Sequence, residues 1–503
     1  MGIVVRQSLK ASVVSYIGAF IGYLNIVFIT PYCLPPEILG LSKVFLDLGL
    51  FLTFFVQLGM QSAIVRFFPF FKDDEKNNGF FFLIVVLPFF GFIIFGTLYY
   101  FLKDWLFSYF HTNSKILTDY LLYVLPLTFV MTYFGIFEIY STCFLRIVVP
   151  KIIREIFIRI CNIIIIILFY FKILNLDQFI IYTIIVYGIG MIANLWYISK
   201  ISKISFKPDF TFLKKPLVRQ ILFYLLFIMI GGIGTNLVSK FDGFMISSSI
   251  NLINTGIFTI ALYITTIIEI PSRTMLMMSG PIIANAFKNN DMVSIKEIYQ
   301  KTSLNQFIIG GFIFLMVWIN VDDIFSIMPK GELYSQGKYV ILFFGISKLF
   351  DMITGANGLI IINSRFYYYA LFFLFYLTAV SVGLNYILIP VLGITGAAIA
   401  SLIAIGSYNL LLVSFLNFKM KIHPFTTNTI KAIVITLIPF AINYFIPFVL
   451  NPIIDSMVRS SVIVIIYLSL LIGFSVSKDI NDIWGNIRNG SFLKELFSTL
   501  KLK

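Results

Sequence analysis

The stretch ASVVSYIGAFIGYLNIVFITPYCLPP, from Ala11 to Pro36, contains 26 consecutive residues without a charge. A helix needs about 20 apolar residues to cross the hydrocarbon layer of a bilayer, so this stretch is long enough for one membrane span. It is too long for the apolar part of a cleavable signal peptide, and it has no small-x-small exit sequence. We therefore predict a first transmembrane helix that is retained.

Stretches of the same kind follow along the whole chain. The 503 residues are 59% hydrophobic and 12% charged, whereas a soluble domain has about 25% charged residues. Only helices or closed barrels satisfy the backbone in lipid, and these runs are too long for barrel strands. The sequence predicts an all-α integral membrane protein with about fourteen transmembrane helices, at residues 11–31, 44–67, 79–102, 117–145, 153–173, 177–199, 219–246, 255–284, 299–321, 338–363, 367–390, 394–418, 430–451 and 459–477.

Two of these boundaries lie inside long uncharged runs. Residues 243–268 carry no charge, and we divide them at the polar stretch from Ser247 to Gly256. Arg365 and Lys419 bracket 53 uncharged residues, which is too long for one helix. The segment 390–396, PVLGITG, is the natural turn there.

The distribution of basic residues predicts the orientation. With the N-terminus inside, 26 basic residues lie in inner segments, 8 in outer segments and three within spans. This agrees with the positive-inside rule and places both termini in the cytoplasm. The net charge of +14 is spread through the inner loops, so it does not indicate a nucleic-acid partner.

A weak internal repeat divides the predicted spans into two halves. With a shift of about 215 residues, Gly40 meets Gly256 and Lys151 meets Arg365. Six spans each give the halves the same orientation, related by a pseudo-two-fold axis along the membrane normal. We predict an N-terminal six-helix lobe, a basic cytoplasmic linker, a C-terminal six-helix lobe, and two extra helices with a cytoplasmic tail, at residues 1–200, 201–218, 219–420 and 421–503.

Five motifs carry a resemblance to a known family. They are LPPEILGL (Leu34 to Leu41), LGMQSAIVRFFP (Leu58 to Pro69), KFDGFMI (Lys240 to Ile246), NTGIFTIALYI (Asn254 to Ile264) and VLGITGAAIAS (Val391 to Ser401). Each motif is weak alone, since small-residue strings are common packing devices. In their order and spacing over spans one to twelve, they resemble the Wzx-type polysaccharide flippases of the MOP exporter superfamily.

The resemblance implies two six-helix lobes around a central cavity that works by alternating access. It implies movement of an undecaprenyl-diphosphate-linked oligosaccharide across the bacterial inner membrane, for O-antigen and lipopolysaccharide, capsule or another surface polysaccharide. The expected partners are this lipid-linked substrate, the bilayer, and the polymerase and glycosyltransferases of the pathway.

Charges inside membrane spans are costly and usually face a cavity or a partner. A lipid diphosphate is anionic, so a basic path would attract it. Ten residues are candidates for the transport path: Asp47, Arg66, Glu138, Arg159, Lys240, Asp242, Glu269, Arg273, Lys348 and Asp351.

Arg273 is the strongest of these candidates. Glu269 lies four residues before it, which puts the two side chains on one helix face. We predict a phosphate ligand held by a carboxylate that could also respond to protons or sodium; an ion pair tethering two helices is the alternative. Lys348 and Asp351 are three residues apart, so they also share a face, and we predict a substrate contact or a self-neutralising pair.

The other candidates have a structural alternative. Asp242 matches an aspartate that the resembled family has near the outer end of span seven, and Lys240 lies on another face. Glu138 and Arg159 face each other across a loop and are predicted to pair. At the two ends of span two, Asp47 and Arg66 are candidates for the path, and Arg66 could instead extend to the lipid headgroups.

Two other functions remain open. A drug/cation antiporter of the same superfamily would need an acidic cavity, but the ten candidates are five acids and five bases. A membrane-embedded polysaccharide polymerase or glycosyltransferase usually needs a large hydrophilic loop, whereas the predicted outer loops are short; Asp322 and Asp323, in one of them, are interpreted as a solvated turn.

The sequence predicts a transporter rather than an enzyme. No GxxxxGK[ST] phosphate-binding loop occurs, and the three cysteines lack metal-ligand spacing. We therefore expect no cofactor and no metal, with coupling to protons or sodium left open.

Overall fold

The computed structural model describes residues 3–68, 77–144, 146–202, 215–445, 451–477 and 481. Every regular element in these ranges is a helix. The chain divides into two compact units, Met1–Thr259 and Ile260–Lys503.

The first unit contains eight major helices and the start of a ninth. The short turns Lys115–Asp119 and Leu121–Tyr123 precede the fifth. The first and sixth helices each contain a π-helical turn, at Asn25–Ile29 and Ile153–Phe157. The helices are α1 (Ile3–Leu24, extended to Cys33 through the π turn), α2 (Pro36–Val56), α3 (Met60–Phe67), α4 (Asn77–His111), α5 (Val124–Cys143), α6 (residues 148–170), α7 (Leu176–Ile201), α8 (Lys215–Ser249) and α9 (Leu252–Lys288).

The second unit begins within α9 and contains the remaining helices. Short turns at Gly331–Tyr334 and Ser335–Gly337 connect two of them, and Asn443–Phe445 extends another. The helices are α10 (Met292–Ile319), α11 (Val321–Ile327), α12 (Lys338–Ile353), α13 (Asn357–Asn363), α14 (Tyr369–Met420), α15 (Thr427–Ile442) and α16 (Pro452–Gly473).

Polar side chains fix where several of these helices begin. Asn175 and Gln178 form a reciprocal capping box at the start of α7, and Thr426 and Thr429 form another at α15. Asp291 accepts the backbone N–H of Ser294 at the start of α10. Hydrogen bonds from Ser294 lower the pKa of this exposed carboxyl. Each cap satisfies donors that the first helical turn leaves unpaired.

The apolar helices match the fourteen predicted spans. Within the described ranges, nine helices are long and apolar enough to cross a membrane, and a bent pair, Gly331–Ile353 with Asn357–Asn363, is a tenth. α14 covers two predicted spans, and the other three are occupied by α6, α8 and α15. The chain is a multi-pass, all-α membrane protein.

The predicted boundaries hold at the polar break between α8 and α9 and at Gly393. That glycine has a non-helical backbone, φ 61° and ψ −141°, and separates the two halves of α14. Two predicted boundaries are wrong. The second span begins at Pro36 and ends at Val56, because Leu58 and Gly59 take positive φ values. α4 continues to His111 through a segment that the sequence predicts to be an outer loop.

Candidate functional site

A carboxylate between two bases forms the centre of the charged site in the second unit. Glu269 of α9 lies 3.0 Å from Nε of Arg273 on the same helix and 2.6 Å from Nζ of Lys348 on α12. The Glu269–Arg273 pair has the spacing that the sequence predicts. The Arg273 side chain is 69% exposed, whereas those of Glu269 and Lys348 are only 22% and 23% exposed. The exposed part of this group is therefore a guanidinium.

A second polar group lies where α12 breaks into α13. The break bends the pair by 47°, and Gly355 supplies a φ of +62°. Asn409 of α14 accepts hydrogen bonds from Thr354 Oγ1 at 2.9 Å and from Asn357 Nδ2 at 2.8 Å. Its own Nδ2 donates to Asp351 Oδ1 at 3.1 Å. One buried amide thus joins both sides of the helix break to the aspartate.

Lys348 and Asp351 form no salt bridge with each other in the described ranges, so the predicted self-neutralising pair is not a direct contact, and the substrate contact stays a prediction. The Lys348 ammonium contacts Glu269 on another helix, and Asp351 accepts from Asn409. Both partners lie far away in sequence, so the spacing of three residues on one helix could not find them.

An apolar cavity of about 450 Å³ borders α12, the helix that carries Lys348 and Asp351. Its walls come from α10, α12 and α15, and Thr436 is its polar member. Leu349, Phe350 and Ile353 of α12 line it, and Leu349 directly follows Lys348. No feature of the sequence predicted a cavity between α10, α12 and α15.

In the first unit, one carboxylate is held by two ammonium groups. Asp47 of α2 lies 2.6 Å from Nζ of Lys43 and 2.6 Å from Nζ of Lys240 on α8. The structure thus joins Asp47 and Lys240, which the sequence placed in separate spans. Lys43 was missed, although its i,i+4 spacing from Asp47 was a usable signal. Asp242 is buried on the same helix as Lys240.

The predicted pair of Glu138 and Arg159 is also wrong. Glu138 of α5 pairs with Arg154, and Arg159 lies 2.6 Å from Glu155, one helical turn earlier on α6. The loop between α5 and α6 brings the π-helical turn Ile153–Phe157, which contains Arg154, opposite Glu138, rather than the following turn, which contains Arg159. Arg154 and Glu155 are therefore the residues that sequence reasoning missed.

Arg66 lies in the last turn of the short helix α3. Its guanidinium carbon is 4.4 Å from the ring centroid of Tyr224 on α8 and 5.6 Å from that of Phe67. Such contacts are worth about 0.5–1 kcal/mol at exposed sites. They hold the guanidinium of α3 against the Tyr224 ring of α8.

Comparisons with protein-family models and with curated proteins give no match. Solved structures do match. The lipid II flippase MurJ, in an inward closed conformation, aligns with a TM-score of 0.72 at 14% identity, over 93% of this chain and 100% of that one. The chain has the same fold as this flippase.

Other structures of the same fold support this assignment. An inward-facing MATE family multidrug resistance transporter of the MOP superfamily aligns with a TM-score of 0.61 at 14% identity, over 84% of this chain and 95% of that one. A MOP superfamily transporter from Pyrococcus furiosus aligns with a TM-score of 0.56 at 14% identity, over 83% and 95%. These neighbours are flippases and transporters, and they share the all-α membrane fold class that the sequence predicts.

Proposed function

We propose that this protein is a Wzx-type flippase. In this proposal it moves an undecaprenyl-diphosphate-linked oligosaccharide across the bacterial inner membrane by alternating access, with both termini in the cytoplasm. The observation that carries the proposal is the group of Arg273, Glu269 and Lys348. The helix that contributes Lys348, α12, also lines an apolar cavity. The likeness to a lipid II flippase over 93% of the chain adds support for a lipid-linked substrate.

The charges of this group suit an anionic headgroup. Glu269 is shared by two bases, so the three side chains together carry one positive charge. Most of the Arg273 side chain is exposed, and the fork of N–H donors on its guanidinium fits phosphate oxygens. Glu269 fixes the position of the arginine while leaving donors free for a diphosphate.

The cavity suits part of a prenyl chain. It is lined almost entirely by aliphatic and aromatic side chains, among them Phe314, Phe350 and Phe440. Lys348 and the lining residue Leu349 are consecutive on α12, so the charged group and the cavity lie at the same level along this helix. In this proposal the headgroup binds at the bases and part of the tail enters the cavity. The volume of about 450 Å³ holds a few isoprene units rather than a whole polyprenyl chain.

A drug/cation antiporter is the second candidate, because MATE transporters share the fold. It would use Asp351 and Glu269 as cation ligands. The two bases on Glu269 and the two lysines on Asp47 favour the anionic substrate instead. The structural neighbours named above are flippases and transporters, not polymerases or glycosyltransferases. Coupling to protons or sodium, and partnership with pathway polymerases and glycosyltransferases, belong to the same proposal.

Reconstitution into liposomes tests the proposal. The purified chain is mixed with lipids and a fluorescent undecaprenyl-diphosphate oligosaccharide, and a membrane-impermeant quencher measures the fraction of headgroups in the outer leaflet. We expect protein-dependent transfer, reduced at least tenfold by Arg273→Ala and by Lys348→Ala. Lys338→Ala, which alters a base at the start of the same helix, should keep the rate.

Failure of the folded wild-type chain to transfer this lipid would overturn the proposal. Expression in a drug-sensitive bacterium separates the two candidates, since raised drug resistance without lipid transfer would establish the antiporter.

A further inference from the structure

The C-terminal end of α4 has no role in the proposed function. The sequence predicts that this membrane span ends at residue 102, but the helix continues without a break to His111. Tyr99 attaches this part of the helix to the chain that follows, since its hydroxyl donates to the carbonyl of Leu121 at 2.8 Å. The end of α4 belongs to the first unit, whereas the charged group of Glu269 belongs to the second.

One face of α4 is apolar and exposed from the membrane span into this extension. Phe101 is 76% exposed and Trp105 is 61% exposed. An exposed apolar surface of this extent on a membrane protein marks contact with lipid. Large exposed side chains recur along this face at intervals of three or four residues: Phe90, Ile94, Leu98, Phe101, Trp105 and Tyr109.

The length of α4 takes its C-terminal end to the level of the lipid headgroups. The apolar part, Phe80–Phe110, has 31 residues, which make about 46 Å of helix. The hydrocarbon layer is about 30 Å thick, and the bilayer with its headgroup regions is about 40–45 Å thick. At the average tilt of about 20° the helix therefore crosses the hydrocarbon and enters a headgroup region. Trp105 and Tyr109, whose rings stack at 5.7 Å, are residue types that are enriched there.

A groove of about 350 Å³ lies between α4 and the start of α5. Its volume is within the range of about 300–1,000 Å³ that is typical of ligand sites. Phe92, Gly96 and Phe101 of α4 and Leu125 of α5 are among its walls. A Cβ atom on Gly96 would lie 3.6 Å from Leu125 and 3.9 Å from Phe92, so a larger side chain at this glycine would enter the groove.

A base lies beside this groove. Nζ of Lys103 is 4.3 Å from the centroid of the Tyr100 ring, which forms part of the wall. In the part of the chain that the structure describes, no carboxylate oxygen lies within 4.0 Å of this ammonium. Asp104 occupies the next position, about 100° further round the helix. The ammonium can therefore donate to a phosphate next to the groove.

We propose that this groove binds one phospholipid from the leaflet at the C-terminal end of α4. One acyl chain lies along Gly96 between Phe92 and Leu125, and the phosphate accepts hydrogen bonds from Lys103. Trp105 packs beside the headgroup. This lipid is a resident ligand of the first unit and is not transported, so the inference does not depend on the proposed flippase activity.

Two other occupants fit the groove less well. A saccharide stacks on open aromatic faces, but the rings of Trp105 and Tyr109 cover each other at an angle of 12°. A polyprenyl diphosphate carries more charge than the single ammonium of Lys103 can neutralise. The phosphodiester of a phospholipid carries one negative charge, which matches this lysine.

Photolabelling of the full chain in nanodiscs tests the proposal. The discs contain a trace of phosphatidylglycerol with a diazirine in one acyl chain, and mass spectrometry locates the label. We expect more label on residues 92–101 of α4 than on the exposed face of α7 around Ile185 and Ile189. Gly96→Leu should lower the label on α4 to the level of α7, because the new side chain fills the groove. The matched control is Gly188→Leu, at a glycine of α7 with no atom within 4 Å, and it should leave the label on α4 unchanged.

The lysine tests the headgroup contact separately. Lys103→Gln should also lower the label on α4, whereas Lys115→Gln, a change in the turn after α4, should not. Size-exclusion chromatography verifies that each variant is folded, and Lys103→Gln still tests the site if Gly96→Leu does not fold.

Three results would overturn the proposal. The first is equal labelling of α4 and α7 in the wild type, or labelling of α4 that survives Gly96→Leu. The second is labelling that Lys103→Gln leaves unchanged, which would assign the groove to an apolar chain without a phosphate. The third is loss of the label on adding undecaprenyl diphosphate but not unlabelled phosphatidylglycerol, which would assign the groove to the transported lipid.

Discussion

Gly40 packs against the backbone of Leu252, and Gly256 packs reciprocally against the backbone of Pro36. A Cβ atom on Gly40 would lie 1.9 Å from the backbone oxygen of Leu252, and one on Gly256 would lie 2.1 Å from that of Pro36. Gly40 and Gly256 are 216 residues apart, and so are Pro36 and Leu252. This separation is close to the shift of about 215 residues that the sequence repeat predicts. Within the first unit, two repeat-related positions therefore form a self-complementary contact, as positions at a two-fold axis do.

This contact predicts that alanine is not tolerated at either glycine. In Gly40→Ala and in Gly256→Ala the new methyl group meets a backbone oxygen, which can only move if the helix moves. We expect each substitution to cost about 1–3 kcal/mol, the usual range for overpacking. Thermal unfolding in detergent measures the loss.

Gly188→Ala is the matched control. Gly188 lies within α7, and a Cβ atom there has no atom within 4 Å. Alanine should be neutral or slightly stabilising at this position, since it has the better helix propensity. Equal melting temperatures for all three variants would contradict the close contact of α2 and α9.

The ion pair of Lys348 and Glu269 predicts a rescue. Lys348→Ala leaves Oε2 of a half-buried carboxylate without its ammonium partner, so we expect a loss of about 1–2 kcal/mol. Glu269→Gln removes the charge that needs a partner. The double variant Lys348→Ala/Glu269→Gln should therefore unfold at a higher temperature than Lys348→Ala alone.

Transport separates this structural role from the proposed function. If the bases bind a lipid diphosphate, the double variant recovers its stability while transfer of the lipid stays low. Recovery of both properties together would assign Lys348 to packing alone.

The sequence could predict local features of the fold and not the long-range ones. Uncharged runs located the helices, because lipid demands about 20 apolar residues for each span. The pair of Glu269 and Arg273 was found because its spacing is one helical turn. The end of α2 was missed, since the positive φ values at Leu58 and Gly59 leave little trace in hydropathy.

The sequence could not predict which side chains on different helices form ion pairs with each other. Arg154 and Arg159 both follow Glu138 closely in sequence, on the helix after the loop. The rotation of α6 about its axis decides which of the two arginines pairs with Glu138. For Asp47, the partner Lys240 lies 193 residues away. Such pairs depend on how helices pack, which a single sequence with weak repeats does not reveal.

The two salt bridges of Asp47 predict that removing the aspartate destabilises the fold more than removing either lysine. Asp47→Asn leaves two half-buried ammonium groups without a carboxylate, whereas Lys43→Ala or Lys240→Ala leaves Asp47 with one partner. We expect Asp47→Asn to lower the free energy of unfolding by about 2–3 kcal/mol, and either lysine variant by less. Urea unfolding followed by tryptophan fluorescence would measure this order, and a larger loss for a lysine variant would contradict it.

The hydrogen bonds of Asn409 predict that exchanging two residues restores the site. Asn409→Asp places a second carboxylate opposite Asp351 and removes the N–H that Asp351 accepts, so we expect a loss of about 2–3 kcal/mol. In Asp351→Asn/Asn409→Asp, the new asparagine donates to the new aspartate, which still accepts from Thr354 and Asn357. The double variant should therefore regain most of the melting temperature. Asn363→Asp, an exposed change at the end of α13, is the control and should have little effect. A double variant no more stable than Asn409→Asp would mean that Asn409 does not join the break of α12 and α13 through this pair.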